Sequence, residues 1–152
     1  MADFHYMVDT ECYIGPDTLF KLPFVAGKYT NRALLIADPN LAEFEILEKI
    51  QTTLQGRSIE TILFDELDKT ADAHTVDNAA ELARGSRSPL IIAVGGIRAL
   101  HCAKAAACLA PGKQSAVALL DGEPIQEEPL RLILIPTSLR DPFLLSGECI
   151  IT

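Results

Sequence analysis

The chain has 152 residues, of which 49% are hydrophobic and 22% are charged, a composition typical of one soluble globular domain with its own core. Lys and Arg total 13 against 21 Asp and Glu, which gives a formal charge of −8, so a nucleic acid or an anionic membrane surface would be repelled. No apolar run approaches the roughly 20 residues of a membrane-spanning helix, and Met1–Val8 lacks the basic start and apolar stretch of a signal peptide. We predict one cytoplasmic domain over residues 1–152.

The chain opens with a predicted β-hairpin. Phe4–Val8 and Glu11–Ile14 are β-prone stretches separated by two polar residues, and Gly15-Pro16 forms the turn that follows. Asp17 can then cap a short helical segment that ends near Leu22-Pro23.

Strands and helices alternate along the rest of the chain. Continuous apolar runs are typical of strands covered on both faces, and four are predicted: Ala33–Ala37, Ile59–Phe64, Leu90–Val94 and Leu130–Ile135. Apolar residues at three- to four-residue spacing predict three helices between them. They run over Leu41–Gly56, from a cap at Asp72 or Thr75 to Gly85, and over Arg98–Ala110. The apolar segment Ala116–Leu120 and the turn Asp121-Gly122 precede the last strand.

This alternation predicts the fold class. Short connections between strands and helices imply a parallel sheet with right-handed crossovers and helices on both faces. The predicted fold is α/β, a doubly wound, mostly parallel, Rossmann-like sheet with an N-terminal β-hairpin. Two packed sheets are excluded because the segments between the strands are too long and too Ala-rich to be hairpin loops.

The residues that follow the strands are candidates for a binding site, because an open parallel sheet binds ligands beyond the carboxyl ends of its strands. Gly95-Gly96 follows the third strand and precedes a helix whose first N–H groups suit a diphosphate; a plain tight turn explains the two glycines equally well. Asp38 follows the first strand and can accept hydrogen bonds from ribose hydroxyls while repelling a 2′-phosphate, which favours NAD over NADP. It can also cap the helix after it.

Two side chains of the glycine-led helix are further candidates. Arg98 lies in the first turn, where it can pair with a phosphate beyond the helix end or be a solvated surface residue. His101 lies one turn further on, either within reach of the crevice or as a partly buried structural residue.

No pattern of metal ligands is visible in the sequence. The cysteines at positions 12, 102, 108 and 149 have no CxxC spacing, and the three histidines are scattered. We expect reduced, mostly buried thiols and no metal on this chain.

Short motifs follow one another in a recognisable order: Tyr13–Pro16 with Leu19–Pro23, Ala33–Asp38, Phe64–Leu67, Ile91–Gly96 with Ala103-Lys104, and Ile135–Ser138. With their spacing they resemble the N-terminal nucleotide-binding half of the iron-containing alcohol dehydrogenases, a superfamily that includes glycerol dehydrogenase and dehydroquinate synthase. The family's third glycine, serine and aspartate are replaced by Ile97, Arg98 and His101. The resemblance implies cofactor contacts at Asp38, Gly95, Gly96, Ile97, Arg98, His101, Thr137 and Ser138.

The resemblance also implies what this chain lacks. In the family, one aspartate and three histidines of a helical C-terminal domain hold the metal, beyond the residues that match Thr152. Hydride transfer relies on that metal as a Lewis acid, so we expect this chain to bind NAD(P), with NAD favoured, but to be inactive alone. A second domain, a further subunit or another copy of the chain is the expected partner.

The sequence leaves two alternative functions. A diverged, non-enzymatic domain that binds another ligand or a protein partner is the main alternative, favoured by the replacements at positions 97, 98 and 101 and by the apolar segment Pro142–Leu145. A sugar-phosphate lyase of the dehydroquinate synthase type is disfavoured, since Ala103-Lys104 is closer to the alcohol dehydrogenase motif.

Overall fold

A computed structural model of the chain describes residues 9–43, 45–67 and 70–152. Within these ranges four strands form one sheet: β1 (Arg32–Ala37), β2 (Glu60–Phe64), β3 (Leu90–Gly95) and β4 (Arg131–Pro136). The α-helices are α1 (Leu22–Gly27), α2 (Ile46–Gln55), α3 (Ala73–Gly85), α4 (Ile97–Leu109) and α5 (Ala116–Leu120). The four strands predicted after the hairpin are each confirmed to within one residue at either end.

The sheet has the order β2-β1-β3-β4, and every neighbouring pair of strands is parallel. The chain runs from β1 outward to β2, then crosses back over β1 to place β3 on its other side. This reversal confirms the doubly wound, Rossmann-like prediction. It also places the topological switch point, where such folds bind ligands, between the carboxyl ends of β1 and β3.

Helices cover both faces of the sheet, as predicted. Leu34 and Ile36 of β1 belong to a core shared with α3 and α4, whereas Leu35 belongs to a second core shared with α1 and α2. All three side chains are fully buried. A strand buried on both faces needs a continuous apolar run, which is why β1 and β3 stand out in the sequence.

The prediction of an N-terminal hairpin is wrong for its second strand. Residues 11–14 have no regular secondary structure, and the first predicted strand lies outside the described residues. Every strand pair in the described part of the sheet is parallel, and Ile14 is 92% exposed. A β-prone segment that packs on neither a partner strand nor a core has little reason to be a strand.

Proline 23 marks the beginning of a helix and not its end. A 3₁₀ helix covers Thr18–Lys21, α1 then begins at Leu22, and the proline lies in its first turn. Proline is favoured there because the N–H group it lacks has no partner within the helix. Asp17 precedes the 3₁₀ helix but its side chain makes no capping hydrogen bond.

The helix predicted over residues 41–56 is divided in two. A 3₁₀ helix covers Pro39–Glu43, and α2 begins only at Ile46. The carboxylate of Asp38 accepts a hydrogen bond from the N–H of Asn40 at 3.2 Å, so Asp38 does cap the turn that follows β1. Within the described ranges no helix is long and apolar enough to cross a membrane.

Asp72 caps α3, and its removal should show a defined pH dependence. Its carboxylate accepts a hydrogen bond from the N–H of Thr75 at 2.7 Å, and this bond lowers the pKa of Asp72. Asp72→Ala should cost about 1 kcal/mol in urea unfolding at neutral pH. Because the pKa is lowered in the folded state, the cap's contribution is complete above the ordinary aspartate pKa and is lost as the pH falls through the lowered value. A stability difference that persists in strong acid would contradict this.

Candidate functional site

The switch point brings the end of β1 directly against the end of β3. Ala37 is in register with Val94, and the N–H of Asp38 donates to the carbonyl of Val94 at 3.1 Å. Gly95 has φ = +149°, a conformation that side chains disfavour, and a Cβ at this position would lie 2.9 Å from the Cβ atoms of both Asp38 and Ala99. Only glycine therefore lets β1, β3 and α4 meet this closely.

Gly96 leaves the beginning of α4 open. It is the N-cap of this 13-residue helix, its backbone is extended, and a Cβ built on it meets nothing within 4 Å. The first N–H groups of a helix point beyond its N-terminus, where the helix dipole favours negative charge. The two adjacent glycines thus have different roles, because Gly95 allows the close packing and Gly96 keeps the approach to the helix clear.

Arg98 and Asp38 form an ion pair across the crevice. Nη2 of Arg98 donates to both carboxylate oxygens of Asp38, at 2.9 and 3.1 Å. The side chains are 29% and 13% exposed, respectively. Arg98 is therefore not a solvated surface residue, and the carboxylate that the sequence singled out as a ribose acceptor is already bound to a guanidinium.

The other candidates of the crevice lie along its edge. Ile97 is the first residue of α4 and is about half exposed. Thr137 and Ser138 follow β4, and the N–H of Thr137 donates to the carbonyl of Gly95 at 2.9 Å. Both residues are exposed. Asp38, Gly95, Gly96, Ile97, Arg98, Thr137 and Ser138 are thus brought to one edge of the sheet.

His101 lies in a buried pair and not on the surface of the crevice. Nδ1 of its ring accepts a hydrogen bond from the N–H of Ile150 at 3.0 Å, so the ring proton is on Nε2, which donates to Asp141 at 3.1 Å. The side chains of His101 and Asp141 are only 2% and 1% exposed. The second oxygen of Asp141 accepts from the N–H of Phe143 at 2.9 Å. His101 can therefore affect a ligand only through the residues around Asp141 and Ile150 that its ring contacts.

Lys104 lies one turn further along α4 and binds the backbone of the residues that follow Asp141. Its Nζ donates to the carbonyl oxygens of Phe143, Ser146 and Glu148. Burial lowers the pKa of Lys104, and the neighbouring Asp141 opposes that shift. His101 and Lys104 therefore anchor residues 139–152, called here the C-terminal segment, to the buried side of α4.

The C-terminal segment is also tied to the beginning of α3. The N–H of Thr152 donates to the carbonyl of Ala71 at 3.1 Å, and the N–H of Ala73 donates to the carbonyl of Thr152 at 2.7 Å. Sequence reasoning did not identify Lys104 or Asp141 as anchors. One feature of the sequence could have indicated these anchors. A histidine and a lysine lie three residues apart, and so on one face, in a helix whose many alanines allow close packing against its neighbours.

The four cysteines are free thiols in the structure. Cys102 is buried, which raises its pKa to about 12, and partial burial raises the pKa of Cys108 and Cys149. Cys12 is exposed, so the prediction of mostly buried thiols holds fully only for Cys102. Among the described residues no group of three or more His, Cys, Asp or Glu side chains could hold a metal ion.

The family model that describes iron-containing alcohol dehydrogenases matches residues 9–141 of this chain. Among curated proteins, NADH-dependent butanol dehydrogenase B of Clostridium acetobutylicum is 27% identical over 129 residues, which cover 83% of this chain and 33% of that protein. Alcohol dehydrogenase 4 of Saccharomyces cerevisiae is 24% identical over 108 residues, 66% of this chain and 28% of the yeast protein. The chain thus spans about a third of the length of the curated relatives it matches.

Solved structures show the same fold. Sulfoacetaldehyde reductase from Bifidobacterium kashiwanohense, solved in complex with NAD⁺, superimposes with a TM-score of 0.82 at 18% identity, over 91% of this chain and 37% of that chain. An iron-containing alcohol dehydrogenase from Thermotoga maritima gives a TM-score of 0.79 at 23% identity, over 90% of this chain and 38% of that chain. At these identities the likeness concerns the fold.

Proposed function

Since the chain belongs to the iron-containing alcohol dehydrogenase family, we propose that it is a dinucleotide-binding domain that takes NAD(P) in the crevice at its switch point. The observation that carries this proposal is the open, glycine-led beginning of α4 beside Asp38 at the end of β1. The relative from Clostridium acetobutylicum is named as an NADH-dependent enzyme, and the sulfoacetaldehyde reductase with the same fold was solved with NAD⁺.

The residues present fit a dinucleotide. A Cβ at Gly96, the N-cap of α4, would meet no atom within 4 Å apart from its chain neighbours and the backbone of the helix itself. The N-terminus of α4 suits a diphosphate, while the carboxylate of Asp38 and the exposed Thr137 and Ser138 provide polar groups at the edge. When bound, a nicotinamide dinucleotide supplies the hydride chemistry, and the part assigned to this chain is to hold and orient it.

The described residues do not fit the iron ion that the family name implies. No three potential ligands come together, and two of the obvious ones, His101 and Asp141, are buried and paired with each other. His74 is exposed and contacts Asn78 through its Nδ1 atom at 3.3 Å. In our proposal this chain therefore binds the cofactor but does not oxidise alcohols alone. A metal-bearing domain or subunit would have to complete the site.

Calorimetric titration of NADH into the full chain tests the proposal. We expect saturable binding with a dissociation constant in the range of about 1 μM to 1 mM. Gly96→Val should weaken binding at least about tenfold, because the new side chain enters the space proposed for the diphosphate. It should leave the fold intact, since Gly96 has negative φ and open space around it.

Gly85→Val is the matched control. Gly85 ends α3, on the side of the sheet where β3 begins, and a Cβ there also meets nothing within 4 Å. This variant should bind NADH like the unchanged protein. No heat up to about 5 mM NADH, or equal binding by the Gly96→Val variant, would contradict the proposed site and favour a non-enzymatic domain with another ligand or partner.

A further inference from the structure

We propose that the outer face of α1 and α2 binds the acidic segment formed by residues 121–128 of a second copy of this chain. This face carries aromatic rings with cations beside them and is called here the basic face. Its residues are Phe20, Phe24, Lys28, Lys49 and Arg57. None of them is among the residues proposed to hold the dinucleotide, so the inference is independent of the proposed function.

Helical spacing builds the basic face from two rows of side chains. Phe20, Phe24 and Lys28 follow one another at four-residue intervals along the 3₁₀ helix and α1. Lys49 in α2 and Arg57 just after it form the second row. Nζ of Lys49 lies 5.2 Å from the ring centre of Phe20, and the guanidinium carbon of Arg57 lies 3.6 Å from that of Phe24. Two cation–π contacts therefore hold the rows side by side.

The basic face is exposed and keeps its positive charge. Phe20 and Phe24 are 53% and 56% exposed, and adjacent exposed aromatic rings are typical of interaction surfaces. Among the described residues, no cation of the basic face forms an ion pair with a carboxylate. Arg131 lies 5.4 Å from the ring centre of Tyr29, which directly follows Lys28, and adds a further cation. The face therefore attracts a surface that is both acidic and partly apolar.

An open cavity in the basic face offers a place for one side chain of such a partner. Its volume is about 280 Å³, and Phe24, Lys28 and Arg57 contribute to its lining. Protein interfaces are commonly anchored by a side chain that fills a cavity of this kind. With an aromatic wall and two cations, the cavity fits an apolar side chain that has carboxylates beside it.

The acidic segment of the chain has this chemistry. Residues 121–128 include four carboxylates, at positions 121, 123, 127 and 128, and no Lys or Arg. The whole segment is exposed. Ile125 lies between the two pairs of carboxylates and is 50% exposed, although it is a large apolar residue. The acidic segment thus complements the basic face in charge and in its central apolar side chain.

The two surfaces can meet only between two copies, because they lie on opposite sides of the sheet. The basic face belongs to α1 and α2, which share one core with Leu35. Leu119 and Leu130 flank the acidic segment and pack on the other core, with α3 and α4. A nucleic acid or an anionic membrane would meet the charge of −8 of the whole chain, whereas a second copy brings a basic face of its own as well as its acidic segment.

Light scattering during size-exclusion chromatography of the full chain tests the inference. At about 100 μM protein and about 20 mM salt we expect a mass above the 16.5 kDa of one chain, which falls toward that value at about 500 mM salt because salt screens exposed charges. The mass of one chain under both conditions would overturn the inference. A larger mass that salt does not change would also overturn it.

Reversal of charge on each surface identifies the contact. Lys28→Glu with Arg57→Glu makes the basic face negative, and Glu127→Lys with Glu128→Lys makes the acidic segment positive. Each double variant alone should have the mass of one chain. Mixed in equal amounts the two should associate again, because each offers the other a surface of opposite charge. Circular dichroism checks that both are folded, and the salt series and the variant of the acidic segment test the inference even if the variant of the basic face is not.

Arg87→Glu with Arg140→Glu is the matched control. It changes the charge by the same amount at two exposed residues outside both surfaces, and it should associate like the unchanged protein to within about threefold. Loss of association in this control, or a mixture of the charge-reversed variants that keeps the mass of one chain, would overturn the inference. Binding of the unchanged protein to phosphatidylserine vesicles without self-association would assign the basic face to a membrane and would also overturn it.

Discussion

Replacing Gly95 by alanine is expected to destabilise the protein by roughly 3–5 kcal/mol, a large part of the stability of an ordinary domain. Two costs add. Alanine at φ = +149° is strained, and its Cβ would lie 2.9 Å from the Cβ atoms of both Asp38 and Ala99. Those two neighbours belong to the end of β1 and to α4, so relief requires a shift of the backbone at the centre of the sheet. Urea unfolding followed by circular dichroism measures the change.

Gly96→Ala is the control for this prediction. Gly96 has φ = −89° and nothing within 4 Å of a Cβ, so only the weak preference of an N-cap for glycine over alanine is lost. The cost should be below about 1 kcal/mol. If both variants lost a similar amount of unfolding free energy, the close approach of β1 to α4 would not depend on Gly95.

His101→Ala should also cost roughly 3–5 kcal/mol, because it leaves the buried carboxylate of Asp141 without its partner. After the substitution the N–H of Phe143 still donates a hydrogen bond to Asp141. Ile150 loses the ring nitrogen that accepts its N–H. We expect faster hydrogen exchange at the Ile150 amide together with the loss of stability, since both report on the docking of the C-terminal segment. His74→Ala, at an exposed position, should stay within about 0.5 kcal/mol of the unchanged protein.

A double substitution shows whether the unpaired carboxylate of Asp141 causes the loss of stability. Replacing His101 and Asp141 together by leucine removes the buried charge and its partner at once, which proteins often tolerate far better than removal of one. The double variant should be more stable than the sum of the single losses predicts, by at least about 1 kcal/mol. Strict additivity would mean that His101 contributes packing alone and that its hydrogen bond to Asp141 has no part.

Much of the fold follows from the sequence because the central strands are buried on both faces. The fully buried runs of β1 and β3 could not be mistaken for alternating, half-exposed strands. Features at the periphery were harder to predict. Residues 11–14 have β-prone side chains without a described strand beside them, and Pro23 can end one helix or begin the next.

The site was predictable where it depends on topology. Parallel strands end at a common edge, so Asp38, Gly95 and Thr137 had to come close once the strands were recognised. The side-chain pairs were not predictable, because Asp38 and Arg98 are 60 residues apart in sequence and His101 and Asp141 are 40 apart. Only the packing of the sheet against α4 and the C-terminal segment decides which charged groups meet.

The chemical-shift changes that NADH causes in the ¹⁵N-labelled chain show whether the dinucleotide binds at the switch point. We expect the largest shifts at the amides of Asp38, Gly96 and Ile97, with Thr137 also affected. Small shifts are expected at Arg87 and Ser88, which lie at the opposite edge of the sheet. Shifts centred on that opposite edge, or no shifts at about 5 mM NADH, would contradict it.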